Sequence, residues 1–184
     1  MKKLLLITGD LATGKSTFGA ILAQRYSTPA FFKDKVKEVL SDSIGYTNRA
    51  ENKKLSVGAV EVMILNFSVF ANCGEDLILE ANFRGGELEK IHKIASENDY
   101  DVLTLALRAD TEILYKRYWH RMNNENRHPA HLIATFDSLE GFESYIGEAR
   151  GESIPGEKIY ICADDFGYQS DRSLLRKIDE FMKA

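Results

Sequence analysis

Hydrophobic positions follow two rhythms along this chain. Lys3–Thr8 is an apolar run halted by Gly9, the pattern of a strand buried on both faces of a parallel sheet. Shorter runs at Ala30–Phe32, Leu77–Leu79, Val102–Leu107 and Lys158–Cys162 read the same way. Between them the spacing turns helical, at Lys15–Tyr26, Lys35–Leu40, Lys54–Asn72, Gly86–Glu97, Thr111–Asn123 and Ser173–Met182, with further helical turns between His131 and Ala149. Strand and helix in alternation predict βαβ units, hence an α/β chain with five parallel strands and helices on both faces of the sheet. The helix at Lys54–Asn72 is apolar almost all round, which predicts packing on several sides. No repeat, linker or low-complexity tract divides residues 1–184, so a single domain is expected.

Composition narrows this picture without redirecting it. With 44% hydrophobic and 28% charged residues the chain is ordinary globular protein, not disordered or disulfide-stapled. A net charge of −4 gives no overall attraction for polyanions, so contact with nucleic acid or membrane needs a local basic patch. The two cysteines, Cys73 and Cys162, lack metal or redox spacing and read as small buried apolar residues in a reducing compartment. The opening MKKLLLITGD imitates a signal peptide, but its apolar run is shorter than the ~7–15 residues of an h-region. Nothing else reads as a membrane span of ~18 apolar residues, so a cytoplasmic protein is expected.

The chemistry begins where the first strand ends. Gly9-x-x-x-x-Gly14-Lys15-Ser16 has P-loop spacing, and it stands between a strand and a helix as that motif requires. Gly9 through Thr17 (Asp10, Leu11, Ala12, Thr13, Gly14, Lys15 and Ser16 between) would wrap a polyphosphate with backbone N–H groups and the positive end of the helix. Lys15 would reach the β- and γ-phosphates of ATP, and the Ser16 hydroxyl would ligate Mg²⁺.

Two acids follow strands. Asp34 opens the helix after Ala30–Phe32, where a carboxylate serves as an N-cap, as the group that orients an acceptor hydroxyl, or as both. Glu80 closes the hydrophobic run DLILE, the place of an acid that supports Mg²⁺, with contact to the acceptor as its alternative role. Asn82 and Arg84 are near enough in sequence to line the same crevice.

Beyond the fourth strand, Asp110 reads as an N-cap, and Arg117 and Arg121 share one helix face. With Arg127 they would form a mobile lid over roughly 115–135, neutralising charge on a phosphoryl group in transfer. Lys116 and His120 read as solvated, and Asp164–Gly167 as a loop flanking the nucleotide base or as plain surface.

In order, GDLATGKST, FFKDKVKEVLSD, LILEANF, and LRADTEILYKRYWHR with RHPAH resemble the small P-loop kinases that include polynucleotide 5′-kinases, chloramphenicol phosphotransferase and the zeta toxins. The resemblance implies a three-layer P-loop NTPase fold with strand order 2-3-1-4-5 and a helical lid. It implies Asp34 as the carboxylate that activates the acceptor, and Arg117 and Arg121 as lid arginines. Lys37 reads as a solvated lysine of an i, i+4 ladder, with an acceptor phosphate as the alternative that polynucleotide kinases imply. The segment SDSIGYTNRAEN, where the acceptor would be chosen, matches no one substrate.

The resulting expectation is an ATP- and Mg²⁺-dependent phosphotransferase acting on a hydroxyl of a small molecule, or of a nucleotide or nucleic-acid end. Catalysis would rest on Lys15, Asp34, Arg117 and Arg121, nucleotide binding on residues 9–17 and Arg127, and metal binding on Ser16 and Glu80. No protein partner is implied. The alternative is a nucleotide-dependent switch that hydrolyses ATP slowly.

Overall fold

The computed structural model describes residues 1–132 and 136–183. β1 (Lys2–Gly9) runs between β3 (Leu77–Glu80) and β4 (Tyr100–Arg108); β2 (Ala30–Phe32) pairs beyond β3, and β5 (Glu157–Cys162) beyond β4. All four pairings are parallel, so the sheet has five strands in the order β2-β3-β1-β4-β5.

Strand pleating explains the two cores. Leu4, Leu5, Leu6 and Ile7 are all fully buried, and alternation sends them to opposite faces. Leu5 and Ile7 pack with Phe18 and Leu22 of α1 (Lys15–Tyr26), Phe142 and Ile146 of α6 (Leu139–Gly151), and Ile178 of α7 (Arg172–Lys183). Leu4 and Leu6 pack with Met63 and Phe67 of α3 (Arg49–Cys73) and Ile91 of α4 (Gly85–Glu97). Helices therefore cover both faces. The remaining two, α2 (Lys33–Ile44) and α5 (Thr111–Asn124), follow β2 and β4 at the sheet's carboxyl edge.

Several expectations shift. α2 starts directly at the end of β2 and runs on to Ile44, and its N-cap is Phe32, so Asp34 is in the first turn and is not the cap. α3 starts five residues before Lys54, because Asn48 caps it by accepting the Glu51 N–H at 3.0 Å. α3 packs on several sides, as expected, but not all round: it meets the sheet through Val60, Met63 and Phe67 and also lies against α2 and α4, while Leu65 and Val69 are each more than half exposed. Against the expectation of no such segment, α3 is long and apolar enough by length and composition to cross a membrane, although its buried stripe packs on β1 and β3. Both cysteines are exposed, Cys162 because it alternates with buried Ile161 on the edge strand, Cys73 because it ends α3 on the solvent side.

Candidate active site

Gly9 has φ +120°, and a Cβ there would collide with the Leu107 backbone of β4, so only glycine lets β1 turn this tightly. Gly14, φ +87°, is pressed against the Tyr168 hydroxyl and the Phe166 ring. Between them the loop is braced from several sides. Asn82 Nδ2 donates to the Gly9 carbonyl at 3.0 Å, Thr13 Oγ1 to the Asp10 carbonyl at 2.9 Å, and the Tyr168 hydroxyl to the Thr13 carbonyl at 2.8 Å.

Residues 11–17 line a cleft of about 1350 Å³ at the carboxyl edge of the sheet. Gly9 and Asp10 instead line a small separate cavity with Asn82 and Arg150. The Asp10 carboxylate is 3% exposed and turns away from the cleft to Arg150. Lys15 is buried, and its ammonium donates to the Asp10 carbonyl. Burial lowers its pKa, opposed by the nearby Glu80, Asp34 and Asp10.

Glu80 and Asp34 come together because β2 and β3 are parallel and in step, Phe32 beside Glu80. Glu80 is 4% exposed and accepts the Ser16 hydroxyl at 2.9 Å. Desolvation raises its pKa despite Lys15 and Ser16. Asp34 has a half-exposed side chain 3.3 Å from the Lys33 ammonium. Burial pushes its pKa up, and Lys33, His131 and Lys15 more than offset this, so the carboxyl ends below its ordinary value.

With this geometry the chain can be set beside known proteins. No family model matches it, and neither does any curated protein. Solved structures do. A candidate kinase from Chloroflexus aurantiacus is 24% identical, with 98% of each chain covered and a TM-score of 0.81. The tunicamycin resistance protein of Deinococcus radiodurans (14% identity, 97% of this chain and 96% of that one, TM-score 0.64) and the shikimate kinase of Aquifex aeolicus (14%, 96% of each, 0.59) are similar over the same span. The fold is that of P-loop kinases.

The predicted arginines are held differently from one another. Arg117 is fastened at the base of α5: its guanidinium donates to the Ala163 and Asp164 carbonyls at 2.7 and 2.6 Å and lies 4.3 Å over the Phe166 ring. Arg121 is half-exposed and 3.5 Å from Glu125. Arg127 is half-buried, and its hydrogen-bonding contact is the Met122 sulfur at 3.8 Å. All three line the cleft. Asp110 caps α5, accepting the Glu112 and Ile113 N–H groups.

The stretch RHPAH forms a short 3₁₀ turn, Pro129–His131, fastened to α2 and α3. His128 meets Asp42 at 2.9 Å, His131 meets Glu38 at 3.0 Å, and the Ala130 carbonyl accepts from both Lys37 Nζ and Asn52 Nδ2 at 3.0 Å. Residues 133–135, the last of the segment expected to form a lid, lie outside the described residues.

Lys37 is therefore not solvated. It is 6% exposed, donates to Asn52 Oδ1 at 2.8 Å, and has its pKa lowered to about 8 by burial, with Lys33 and Arg127 adding repulsion. Its partner Asn52 carried no local signal, being fifteen positions away on another helix. Arg150 was equally silent in sequence, lying just past the helical turns expected between His131 and Ala149. Arg49 falls within SDSIGYTNRAEN, the segment expected to choose the acceptor, but neither it nor Lys53, both in the cleft, stood out singly, because α3 was expected to begin after them.

Proposed function

We propose that this chain is an ATP-dependent phosphotransferase that moves the γ-phosphoryl group to a hydroxyl acceptor. The observation that carries the reading is the meeting of Ser16 and Glu80, 2.9 Å apart, beside Lys15 and Asp34 at one end of a single cleft. A switch needs the loop and its metal site; it has little use for a second carboxylate opposite them. The cleft also exceeds the ~300–1,000 Å³ of a typical single-ligand pocket, leaving room for donor and acceptor together.

Residues 11–17 and Lys15 would cradle the polyphosphate, and Arg117 stacked on Phe166, with Asp164–Gly167, would flank the base. Among the described residues there is no group of three acids, histidines or cysteines fit to cage a metal. Ser16 and Glu80 nevertheless suit Mg²⁺, which keeps most of its ligands as water and phosphate oxygens. Bound there, Mg²⁺ would offset charge on the β- and γ-phosphates.

Asp34 would hold the acceptor hydroxyl in line. As the acceptor oxygen bonds to Pγ and the bond to the bridging oxygen breaks, releasing ADP, Asp34 takes the hydroxyl proton. Its lowered pKa makes it an orienting acceptor of a hydrogen bond more than a strong base, which suits a loose transition state. Arg121 and Arg127 would meet the charge on the moving group from the α5 side, closing over it as a lid.

Asp34→Asn tests this reading. We expect nucleotide binding to stay within a few-fold of the parent while transfer to a panel of hydroxyl acceptors is lost; transfer that survives removes Asp34 from the mechanism. ATP turnover stimulated by no acceptor would favour the switch. The neighbouring shikimate kinase is named for a small acceptor, in line with a small molecule rather than a nucleic-acid end here.

A further inference from the structure

The chain as a whole is acidic, yet ten lysines and arginines and only six carboxylates line its cleft. Near the P-loop these charges are answered. Lys33 has Asp34, Arg84 has Glu152, Arg121 has Glu125, and Arg117 has its two carbonyls. A polyphosphate, partly neutralised by its own metal ion, would answer Lys15.

The other end is different. Arg49 and Lys53 sit one turn apart at the start of α3, exposed, and neither has an ion-pair partner among the described residues. Asn52, between them, turns inward to hold Lys37, whose ammonium meets neutral oxygens and keeps a third N–H in reserve. Arg127, just before the turn fastened to α2 and α3, is close enough to Lys37 for their charges to repel, and its guanidinium hydrogen-bonds a thioether, the Met122 sulfur. The acids close enough to act on Arg127 are Asp34 and Glu125, and each is engaged elsewhere, with Lys33 and Arg121. Like charges crowded in a partly desolvated cleft cost free energy unless an opposite charge joins them. Guanidinium groups suit that partner particularly well when it is planar or tetrahedral and oxygen-rich.

We propose that the acceptor bound at this end carries an anionic group, a phosphate or a carboxylate, held by Arg49, Lys53, Arg127 and Lys37 in addition to the hydroxyl that Asp34 orients. Calling the ligand an acceptor rests on the phosphotransferase reading; the anion site itself rests on the cations alone.

The test is calorimetric titration with inorganic phosphate and, separately, acetate, after the P-loop has been filled with the magnesium complex of a non-hydrolysable ATP analogue. The same titrations into Lys15→Ala read the second site whether or not the analogue binds, so a failure of the nucleotide reading is seen separately. We expect saturable binding of one anion per chain, weakened about tenfold in Arg49→Gln/Lys53→Gln and unchanged in Lys93→Gln on α4. Tighter binding in the phosphate arm assigns a phosphorylated acceptor, and tighter binding of acetate a carboxylic acid. Because Arg49, Lys53 and Lys93 are all exposed, matching melting curves separate lost binding from lost folding. Absence of a saturable anion, or equal affinity in the double variant, overturns the proposal.

Discussion

Asp10 and Arg150, 140 positions apart, are joined by three hydrogen bonds: Arg150 Nη2 and Nε donate to Asp10 Oδ2 at 2.6 and 3.1 Å, and Nε also donates to Oδ1 at 3.3 Å. Arg150 also donates to the Ala109 carbonyl, and two residues on Glu152 accepts from the backbone of Gly85. The last turn of α6 thus ties down the P-loop, the end of β4 and the start of α4 together.

Removing Arg150 leaves a nearly fully buried carboxylate without its cation. Arg150→Ala is expected to cost about 2–3 kcal/mol of stability, reduced from a fully buried pair because Arg150 is about one-third exposed. Asp10→Asn in the same chain should return part of it. Urea unfolding of the two single variants and the double measures this; additive losses would mean the pair is not coupled.

Glu80 presents the opposite balance. Its pKa is raised by burial, so the folded chain holds its proton more tightly than the unfolded one, and this contribution is lost as pH rises above the ordinary carboxyl range. Glu80→Gln keeps an acceptor for Ser16 and removes the buried charge. At neutral pH it should melt no lower than the parent while needing about tenfold more magnesium for half-maximal transfer. A variant that melts lower with unchanged magnesium dependence would assign Glu80 to the framework alone.

Lys37 offers a pH test. Its pKa of about 8 in the folded chain lies below the ordinary ~10.4 of an unfolded lysine, so between these values the unfolded chain binds a proton that the folded chain has released. Stability from this group therefore rises with pH across that window. Lys37→Met lacks the slope, so the parent should gain on the variant from about pH 7 to about pH 10 in urea midpoints, where shared titrations cancel. Parallel profiles would mean that Lys37 is not desolvated.

Much of this was legible in sequence because it is local. A strand buried on both faces writes itself as an apolar run, and the P-loop as glycines at fixed spacing. Asp34 and Glu80 could be paired from sequence because each lies at or just past the carboxyl end of a strand of one parallel sheet. The start of α3 was also written, in Asn48 and Glu51, three apart like a capping box, and lay hidden behind the stronger apolar signal that follows. What sequence did not carry were meetings between distant elements. Lys37 with Asn52 depends on how α2 lies against α3, and Asp10 with Arg150 on where α6 ends; neither has a periodicity. Cys73 and Cys162 misled for a related reason, since composition gives a residue's taste for burial and only register decides which side it faces.

β2 runs into α2 with no intervening loop, Phe32 serving as both last strand residue and helix cap. Asp34 is thus placed by the sheet, whereas Arg49 and Lys53 are placed by a helix that begins only after a turn. In the proposed reaction, bond-making and molecular choice would thus fall to separable parts. On that reading, replacing Arg49 and Lys53 while keeping Asn52, which holds Lys37 and the Ala130 turn, would alter what the cleft accepts and leave Asp34 where the sheet puts it.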